Sequence, residues 1–384
     1  MNPKRSLIYP VLLMLLLAGC EKDIIKEEFK NDALDNYNSF WTEFDRYYGA
    51  FDAKHVNWDS LKIVYGKNIH EGSSTTELYN ALKGLMGSLH DGHAYLYASG
   101  IGSFYSQGSK SYFSDASIHE ASSIEALQFL IRSKYLKAGY KYVISKEWAF
   151  FYGSIKVDSH KIGYICLPTF IDDAYPDQFV KEAALYFKDM DAIIIDIRFN
   201  TGVSTEAYLK AMNLFATERK LYMKAKYRTS SNHSDFGSFS DYFTEPTIDY
   251  LKGKPIVVLI NSQTASSSDR LLLGLKSQPN VISIGDTTRG ALSDQVSRIM
   301  PNGWQYRLSA QIIYTPDGKL LTNSKGIYLE GVGIPPDFCV EDKKKSLDND
   351  IDEPLAGCFK PILIFPLPTV FKFGDIDWLI VSSI

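Results

Sequence analysis

Residues 264–269, with the sequence TASSSD, follow an apolar run at the point where a helix is expected to begin. A serine at such a junction can act as a nucleophile, because free N–H groups and the helix dipole favour a developing oxyanion. Serine and threonine also cap helix N-termini, and for this segment alone capping is the better interpretation. Ser266 is therefore a candidate nucleophile that needs support from elsewhere in the chain.

A second segment, residues 196–203 with the sequence DIRFNTGV, also follows an apolar run. Gly202 would let the backbone approach a bound ligand, because glycine has no side chain in the way. Its N–H group is a candidate oxyanion donor, together with that of Ser267. Asp196 and Arg198 are expected to form a structural ion pair that shapes this turn.

Two further segments each present one side chain that can take part in proton transfer. Residues 89–95 (LHDGHAY) end a predicted helix and carry His93, although a histidine at a helix end is usually structural. Residues 328–337 (YLEGVGIPPD) are rich in glycine and proline and present the carboxylate of Glu330. Neither segment identifies a catalytic site by itself.

The pattern of apolar residues predicts how the histidine segment is held. Aromatic residues recur at helical spacing between Tyr37 and Tyr48, and residues 74–89 combine a capping box with leucines on one face. These features predict a small N-terminal helical domain over residues 20–98, whose last helix leads to the histidine. Residues 99–155 form an intermediate segment without a clear pattern.

Short β-branched runs alternate with amphipathic stretches over residues 156–345, which predicts a layered α/β domain. Strands are expected at residues 162–167, 192–197, 255–260 and 281–284, and one longer strand at 304–314. Helices are expected near residues 177–188, 205–217 and 266–276. Residues 346–384 remain a C-terminal tail without an assignment.

The first twenty residues have the layout of a bacterial lipoprotein signal. Lys4 and Arg5 precede an apolar run, and the small-residue sequence LAGC ends at Cys20. This layout predicts a signal peptide over residues 1–19 and a lipid anchor on Cys20. The protein would then be attached to a bacterial cell envelope, facing the periplasm or the cell surface. A plain signal peptide with an incidental cysteine is the alternative.

The composition is that of an ordinary globular protein, with 45% hydrophobic and 22% charged residues and a net charge of −4. The absence of a basic run argues against nucleic acid as a partner. No spacing of cysteines and histidines predicts a metal site, and no cofactor is expected. Cys166 is expected in the core, whereas Cys339 and Cys358 could pair in an oxidising compartment. The oligomeric state is open.

The order of the segments resembles that of the C-terminal-processing, or tail-specific, serine peptidases. That family has a DGH turn after its helical domain, then D-x-R-x-N-x-G-G, S-A-S-A-S-E, G-x-T-x-G and E-G-x-G-x-x-P-D. The corresponding sequences here are DGH at 91–93, DIRFNTGV at 196–203, TASSSD at 264–269, GDTTRG at 285–290 and EGVGIPPD at 330–337. Each motif is weak alone, but the five in order are specific. The resemblance covers roughly residues 30–98 and 160–340 and implies a crotonase-like, ββα-type catalytic core.

The resemblance implies roles for individual residues of these motifs. Ser266 matches the nucleophile, and Gly202 matches the oxyanion-hole glycine, with the N–H of Ser267 as the second donor. The second glycine of the family pattern is Val203 here, which leaves the identity of the first donor open. The lysine that serves as base in the Ser–Lys branch falls on Ala291.

The chain is therefore closer to the tricorn-core-like branch of the family, which uses a histidine base oriented by a glutamate. These residues would be His93 and Glu330. The serine that precedes the histidine in that branch is Gly92 here, so a fourth member of the group is missing.

The resemblance implies a serine endopeptidase that hydrolyses peptide bonds of proteins or peptides outside the cytoplasm, without a metal or cofactor. Residues 99–155 are short for a PDZ domain, so no ordinary PDZ domain is expected and recognition of free C-termini is open. The main alternative is a catalytically inactive lipoprotein that binds peptides or apolar ligands on the same scaffold. An acyl-CoA-handling enzyme of crotonase type is a weaker alternative, against which the helical domain and the serine turn both argue.

Overall fold

The structure is a computed structural model that describes residues 30–106 and 120–363. Cys20, the expected signal peptide over residues 1–19 and residues 364–384 of the tail lie outside this part of the chain. Within it, no helix combines the length and the apolar character that a membrane span requires. Cys166, Cys339 and Cys358 are free thiols rather than disulfide partners.

The described residues contain ten α-helices. They are α1 (Ala33–Tyr47), α2 (Trp58–Gly66), α3 (Thr75–Gly87), α4 (Ala121–Leu130), α5 (Asp177–Tyr186), α6 (Thr205–Phe215), α7 (Ser267–Lys276), α8 (Lys344–Leu347), α9 (Glu353–Gly357) and α10 (Phe359–Leu363). α1 begins after its N-cap Asp32. α3 begins with the capping box expected between Ser74 and Glu77.

The strands of the same residues form three sheets. They are β1 (Tyr95–Ala98), β2 (Gly102–Tyr105), β3 (Lys141–Ser145), β4 (Trp148–Val157), β5 (His160–Cys166), β6 (Ala192–Asp196), β7 (Leu221–Tyr227), β8 (Ser240–Phe243), β9 (Ile256–Ile260), β10 (Val281–Gly285), β11 (Gln295–Ile299), β12 (Gln305–Ser309), β13 (Gln311–Tyr314) and β14 (Phe338–Cys339). The sheet orders are β14-β10-β9-β6-β5-β4-β3, β11-β12-β1-β2 and β13-β7-β8.

The central sheet is buried on both faces. Its strands β5, β6, β9, β10 and β14 run parallel, and every residue of β6 and β9 is buried. Ile193 and Ile195 face a core shared with α5, α6 and α7, whereas Ile194 faces α4 and the C-terminal helices. Such two-sided cover is typical of parallel sheets. The expected mixed α/β architecture, preceded by a helical region, is confirmed.

The helical region and the α/β region share one hydrophobic core. Phe40 of α1 and Leu82 of α3 belong to the same buried cluster as Leu308 of β12 and Ile193 of β6. The boundary that the sequence suggested between residues 155 and 156 falls inside β4, which pairs along its length with β3 and β5. Residues 141–155 therefore extend the central sheet.

The long strand expected at residues 304–314 is instead two strands in two sheets. β12 pairs with β1 and β11, whereas β13 pairs with β7. The chain crosses between the sheets at Ala310, whose N–H donates to Asp294 O and whose carbonyl accepts the N–H of Arg228. The strand-like pattern of the sequence cannot reveal such a change of partner, because both halves are strands.

Arg198 anchors the end of β6. Its buried guanidinium lies 2.6 Å from Asp196 Oδ2, as the sequence led us to expect, but also 3.1 Å from Asp342 Oδ1 and 2.8 Å from Asp352 Oδ2. This network ties the loop after β6 to the segment that leads into α9. Because β6 and β9 are parallel neighbours, their carboxyl ends bring residues 196–203 and 264–269 to the same edge of the sheet.

Candidate active site

Ser266 occupies a sharp turn between β9 and α7. Its backbone has a φ of 60° and a ψ of −120°, a conformation that costs a residue other than glycine about 1–3 kcal/mol. Two hydrogen bonds hold the turn: the N–H of Ser266 donates to Asp269 Oδ2 at 2.9 Å, and that of Ala265 donates to Asn200 O at 3.1 Å. Strain held in this way is a common feature of functional sites.

Asp269 supports this turn from inside the protein. Its Oδ2 also accepts the N–H of Ala291 at 2.9 Å, so one carboxylate joins the Ser266 turn to the loop after β10. Burial raises the pKa of Asp269 to about 6. Ala291, at the position of the lysine base of the Ser–Lys branch, is itself buried. The sequence placed Asp269 in the serine motif but assigned it no role.

His93 reaches the serine from the turn between α3 and β1. The buried Asp91 holds this turn, since its Oδ1 accepts the N–H of His93 at 2.8 Å and the hydroxyl of Ser309 at 2.9 Å. His93 Nε2 lies 3.0 Å from Ser266 Oγ, within hydrogen-bond distance. The side chains expected as nucleophile and base are thus brought together.

Glu330 lies on the far side of the imidazole ring. Its fully buried carboxylate accepts the N–H groups of Leu292 at 2.9 Å and Ser293 at 2.8 Å through Oε2. Its Oε1 lies 4.0 Å from His93 Nδ1, and neither of these two atoms has a hydrogen-bond partner among the described residues. The pair is aligned but lies outside hydrogen-bond distance in this conformation.

Burial of the histidine favours its neutral form. Burial lowers the pKa of His93 to about 4, against the opposing effect of Asp91. Burial and the negative charge of Asp91 raise the pKa of Glu330, whereas the ammonium of Lys54 acts in the opposite direction. A neutral imidazole is the form that accepts a proton from a hydroxyl.

Gly202 packs directly against the serine turn. With a φ of 86°, an added Cβ would lie 2.6 Å from Ala265 O and 2.6 Å from the backbone nitrogen of Ser267. The backbones of the two expected oxyanion donors are therefore adjacent. The N–H of Gly202, however, donates to Asn200 Oδ1 at 2.9 Å, so in this conformation it is engaged within its own loop.

Val203, next to this glycine, has a φ of 108° and is 64% exposed. A positive φ is a genuine outlier for a β-branched residue, because its branched Cβ crowds the backbone. The carbonyl of Gly202 accepts the N–H of Phe170 at 3.2 Å and that of Phe170 accepts the N–H of Ser204 at 2.9 Å, which fixes the loop on both sides of the valine. The strained valine stands where the family pattern has its second glycine.

A cavity of about 170 Å³ opens beside the candidate nucleophile. Besides His93 and Ser266, its lining includes Val203, Thr205, Tyr208 and Arg270. The guanidinium of Arg270 lies 2.9 Å from Asp294 Oδ1, so its charge is paired. A larger cavity of about 500 Å³ near Trp58 and His233 contains none of the three expected catalytic residues. The larger cavity is therefore not the candidate site. The smaller one is, because Ser266 and His93 line it.

The described ranges contain no group of three or more histidine, cysteine, aspartate or glutamate side chains that could hold a metal ion.

Lys54 is a further residue beside the site that the sequence did not suggest. Its ammonium donates to the backbone carbonyls of Glu330 at 2.5 Å and His90 at 3.1 Å. No local pattern could have revealed this, because 276 positions separate Lys54 from Glu330.

Comparison with known protein families finds one family model, described as Peptidase family S41, which matches residues 161–340. The carboxy-terminal processing protease CtpB of Bacillus subtilis (strain 168) is 27% identical over 172 residues, which is 45% of this chain and 34% of that protein. CtpA of the same organism is 26% identical over 183 residues, 48% of this chain and 37% of that protein. The matched part therefore spans about a third of the length of these curated relatives.

Solved structures show the same fold. A protein of Parabacteroides merdae ATCC 43184, provisionally assigned as a peptidase, superposes with a TM-score of 0.70 at 22% identity and covers 86% of this chain and 97% of its own. Mature CPAF, solved in complex with lactacystin, superposes with a TM-score of 0.59 at 14% identity and covers 83% of this chain and 95% of its own. At these identities the likeness concerns the fold alone.

Proposed function

We propose that this chain, whose residues 161–340 match the model of Peptidase family S41, is a serine peptidase with Ser266 as its nucleophile. The observation that carries the proposal is the 3.0 Å separation between Ser266 Oγ and His93 Nε2. A serine within hydrogen-bond distance of a neutral histidine is the arrangement that activates a hydroxyl for acyl transfer.

In the proposed reaction Ser266 Oγ attacks the carbonyl carbon of a peptide bond while its proton passes to His93 Nε2. The tetrahedral intermediate collapses when the imidazolium gives this proton to the departing amine, which leaves an ester on Ser266. A water molecule then attacks the ester, with His93 again as the base, and restores the free serine. The proton passes to the departing amine and the acyl group passes to water, so the reaction needs no metal or cofactor.

The oxyanion of the intermediate needs N–H donors close to Ser266. The N–H of Ser267, in the first turn of α7, is the first candidate, because helix N-termini stabilise negative charge. The N–H of Gly202 is the second, and it would have to exchange Asn200 Oδ1 for the substrate oxygen. Loss of one such donor typically costs about 2.7–4 kcal/mol of transition-state stabilisation.

Glu330 would stabilise the imidazolium that forms on His93. At 4.0 Å the carboxylate is too far for a hydrogen bond, but hydrogen bonds at catalytic sites are often long before substrate binds. A small movement of the ring or the carboxylate would satisfy two buried atoms that have no other described partner. Because a buried atom without a hydrogen bond is costly, the intermediate should favour a shorter contact between Glu330 Oε1 and His93 Nδ1.

The substrate class follows from the family and from the cavity. We propose proteins or peptides as substrates, cleaved within the chain, with one substrate side chain in the cavity lined by Val203, Thr205 and Tyr208. The curated relatives are named as carboxy-terminal processing proteases. Whether this chain also selects substrates by their C-terminus is decided by comparing the cleavage of peptides with free and amidated ends.

The proposal includes action outside the cytoplasm, from a lipid anchor at Cys20. Its support is the sequence LAGC at residues 17–20 and the apolar run before it. Metabolic labelling with a fatty acid tests it: the full-length chain is expected to become labelled, and the Cys20→Ala chain is not. Equal labelling of both would contradict the anchor.

A binding protein without catalysis is the second candidate. Two observations favour it: the N–H of Gly202 is engaged by Asn200, and Glu330 stands 4.0 Å from His93. Under this reading the cavity beside Ser266 binds a peptide or apolar ligand that is never cleaved. The two functions share one fold and differ in the reactivity of a single hydroxyl.

A fluorophosphonate probe separates the two candidates, because it reacts only with an activated serine. We expect the purified wild type to be labelled and the Ser266→Ala variant to remain unlabelled. Ser268→Ala is the matched control, since its buried hydroxyl has no hydrogen-bond partner among the described residues and should be dispensable. An unlabelled wild type would support the binding protein, and a labelled Ser266→Ala variant would assign the nucleophile to another residue.

A further inference from the structure

Lys54 lies in a short 3-10 turn, Asp52–Lys54, between α1 and α2 of the helical region. Its side chain extends to the serine site, where Nζ donates to Glu330 O at 2.5 Å and to His90 O at 3.1 Å. Both acceptors are backbone carbonyls, so the ammonium makes directed contacts with two loops rather than a surface ion pair.

These two loops carry the proposed base and its orienting group. His90 precedes His93 by three residues and has a φ of 47°, in the left-handed region. Gly331 follows Glu330 with a φ of 77°, and an added Cβ there would lie 1.7 Å from His90 O and 3.0 Å from Lys54 Nζ. The loops are therefore packed backbone against backbone, and Lys54 bridges them.

The positive charge of Lys54 lies near two buried carboxylates, those of Asp91 and Glu330. Asp91 and Glu330 are both fully buried beside the site, and two buried carboxylates repel each other unless a cation compensates them. Burial and the negative charge of Asp91 raise the pKa of Glu330 well above its usual value, and the ammonium of Lys54 opposes that rise. Burial in turn lowers the pKa of Lys54, and the two carboxylates raise it.

From this geometry we propose that Lys54 is a positioning residue: its ammonium fastens the Glu330 loop to the His93 turn. Its positive charge also favours the ionised form of Glu330 over the protonated form. Only an ionised carboxylate, held at the right distance, stabilises the imidazolium that forms when Ser266 reacts. The helical region would thus take a direct part in the catalytic geometry. The inference rests on the proposed peptidase function and deepens it.

The test compares Lys54→Met, which keeps the aliphatic stem but removes charge and donors, with a matched control. Lys254→Met is that control, because Lys254 Nζ also donates to a backbone carbonyl, Met190 O, at 2.5 Å, but away from the site. We expect Lys54→Met to lose on the order of 100-fold in kcat at neutral pH with little change in KM. The acid limb of its kcat profile should move to higher pH, while Lys254→Met keeps the wild-type profile.

Lys54→Arg separates charge from geometry. Arginine keeps the positive charge but carries its donors in a larger, planar fork that differs from the compact ammonium, so we expect a lowered kcat with an unshifted acid limb. If Lys54→Arg shifts the limb as far as Lys54→Met, charge compensation is wrong. If Lys54→Met has the kcat and the profile of Lys254→Met, the lysine is only a structural support and the inference is wrong.

Infrared spectroscopy gives a readout that does not depend on turnover. A band of the protonated carboxyl group that disappears in Glu330→Gln reports the ionisation of Glu330 directly. We expect this band to persist to higher pH in Lys54→Met than in the wild type. An unaltered band would overturn the inference, whereas an unlabelled wild type in the fluorophosphonate assay would instead overturn the proposed function.

Discussion

Ser266 Oγ and His93 Nε2 lie 3.0 Å apart, although 173 positions separate the two residues along the chain. The turn before α7 presents the serine in a strained backbone conformation, and the buried Asp91 fixes the turn that presents the histidine. Both side chains are thus aimed by backbone contacts. The geometry leads to four predictions about protonation, backbone strain and buried charge.

The first prediction concerns the protonation of His93. Because burial lowers its pKa to about 4, the ring should stay neutral from neutral pH down to about pH 5 and take up a proton only below that. We expect ring-nitrogen NMR to show a neutral imidazole with its proton on Nδ1, facing Glu330, and its lone pair on Nε2, facing Ser266. The resonance is assigned by its loss in His93→Ala. A ring that is already charged at pH 6 would contradict the lowered pKa of His93.

The second prediction concerns the close approach at Gly202. Replacement by alanine would add a Cβ 2.6 Å from Ala265 O, so the serine turn must shift and peptidase activity should nearly vanish. Gly318→Ala is the control, because Gly318 has a similar φ of 82° with nothing within 4 Å of an added Cβ. Both variants pay about 1–2 kcal/mol for the left-handed backbone. Thermal unfolding and activity together should show the extra loss only in Gly202→Ala.

The third prediction concerns the strained Val203. Replacement by glycine should release the strain of a β-branched residue at a φ of 108°, so stability should be unchanged or slightly higher. The loop could then rotate the N–H of Gly202 away from Asn200 more easily, and kcat/KM should rise. Val64→Gly, at a 55% exposed position within α2, is expected to lose up to about 0.5 kcal/mol of stability instead. A less stable and less active Val203→Gly would show that the valine supports the active conformation.

The fourth prediction concerns the buried charges around Arg198. Arg198→Met leaves the carboxylates of Asp196, Asp342 and Asp352 without their cation, and such a loss typically costs about 3–5 kcal/mol. Urea unfolding should show this loss as a lower midpoint. Arg219→Met removes an exposed ion pair with Glu245 and the contact of the guanidinium with the Phe243 ring, and should cost less than about 2 kcal/mol. Equal losses in the two variants would mean that the buried network contributes no more than a surface pair.

Several parts of the candidate site could be predicted because their signals are local in sequence. The capping box at Ser74 and the turn before α7 depend on residues within four positions, and both occur where expected. The order of five short motifs pointed to the family before any distance was known. Asp196 and Arg198 were expected to pair, and they do.

Other parts depend on contacts between distant segments. Nothing near Arg198 in sequence indicates Asp342 or Asp352, and nothing near Lys54 indicates the carbonyl of Glu330. The run at 304–314 has the pattern of one strand, and its division between two sheets depends on which strands lie beside each half. The same holds for the boundary inside β4, where pairing with β3 and β5 overrides the change in composition.

The amino-acid sequence by itself determined which residue types are available and where helices, strands and turns begin, because these depend on local spacing, capping and backbone preference. Through the resemblance of its ordered motifs to the tail-specific peptidases, it also singled out Ser266, His93 and Glu330 as the residues to bring together. Only the tertiary structure decided their separations of 3.0 Å and 4.0 Å, the engagement of the Gly202 N–H and the reach of Lys54. These distances and contacts arise because a shared core packs distant segments together. Burial then requires the charged groups of those segments to compensate one another.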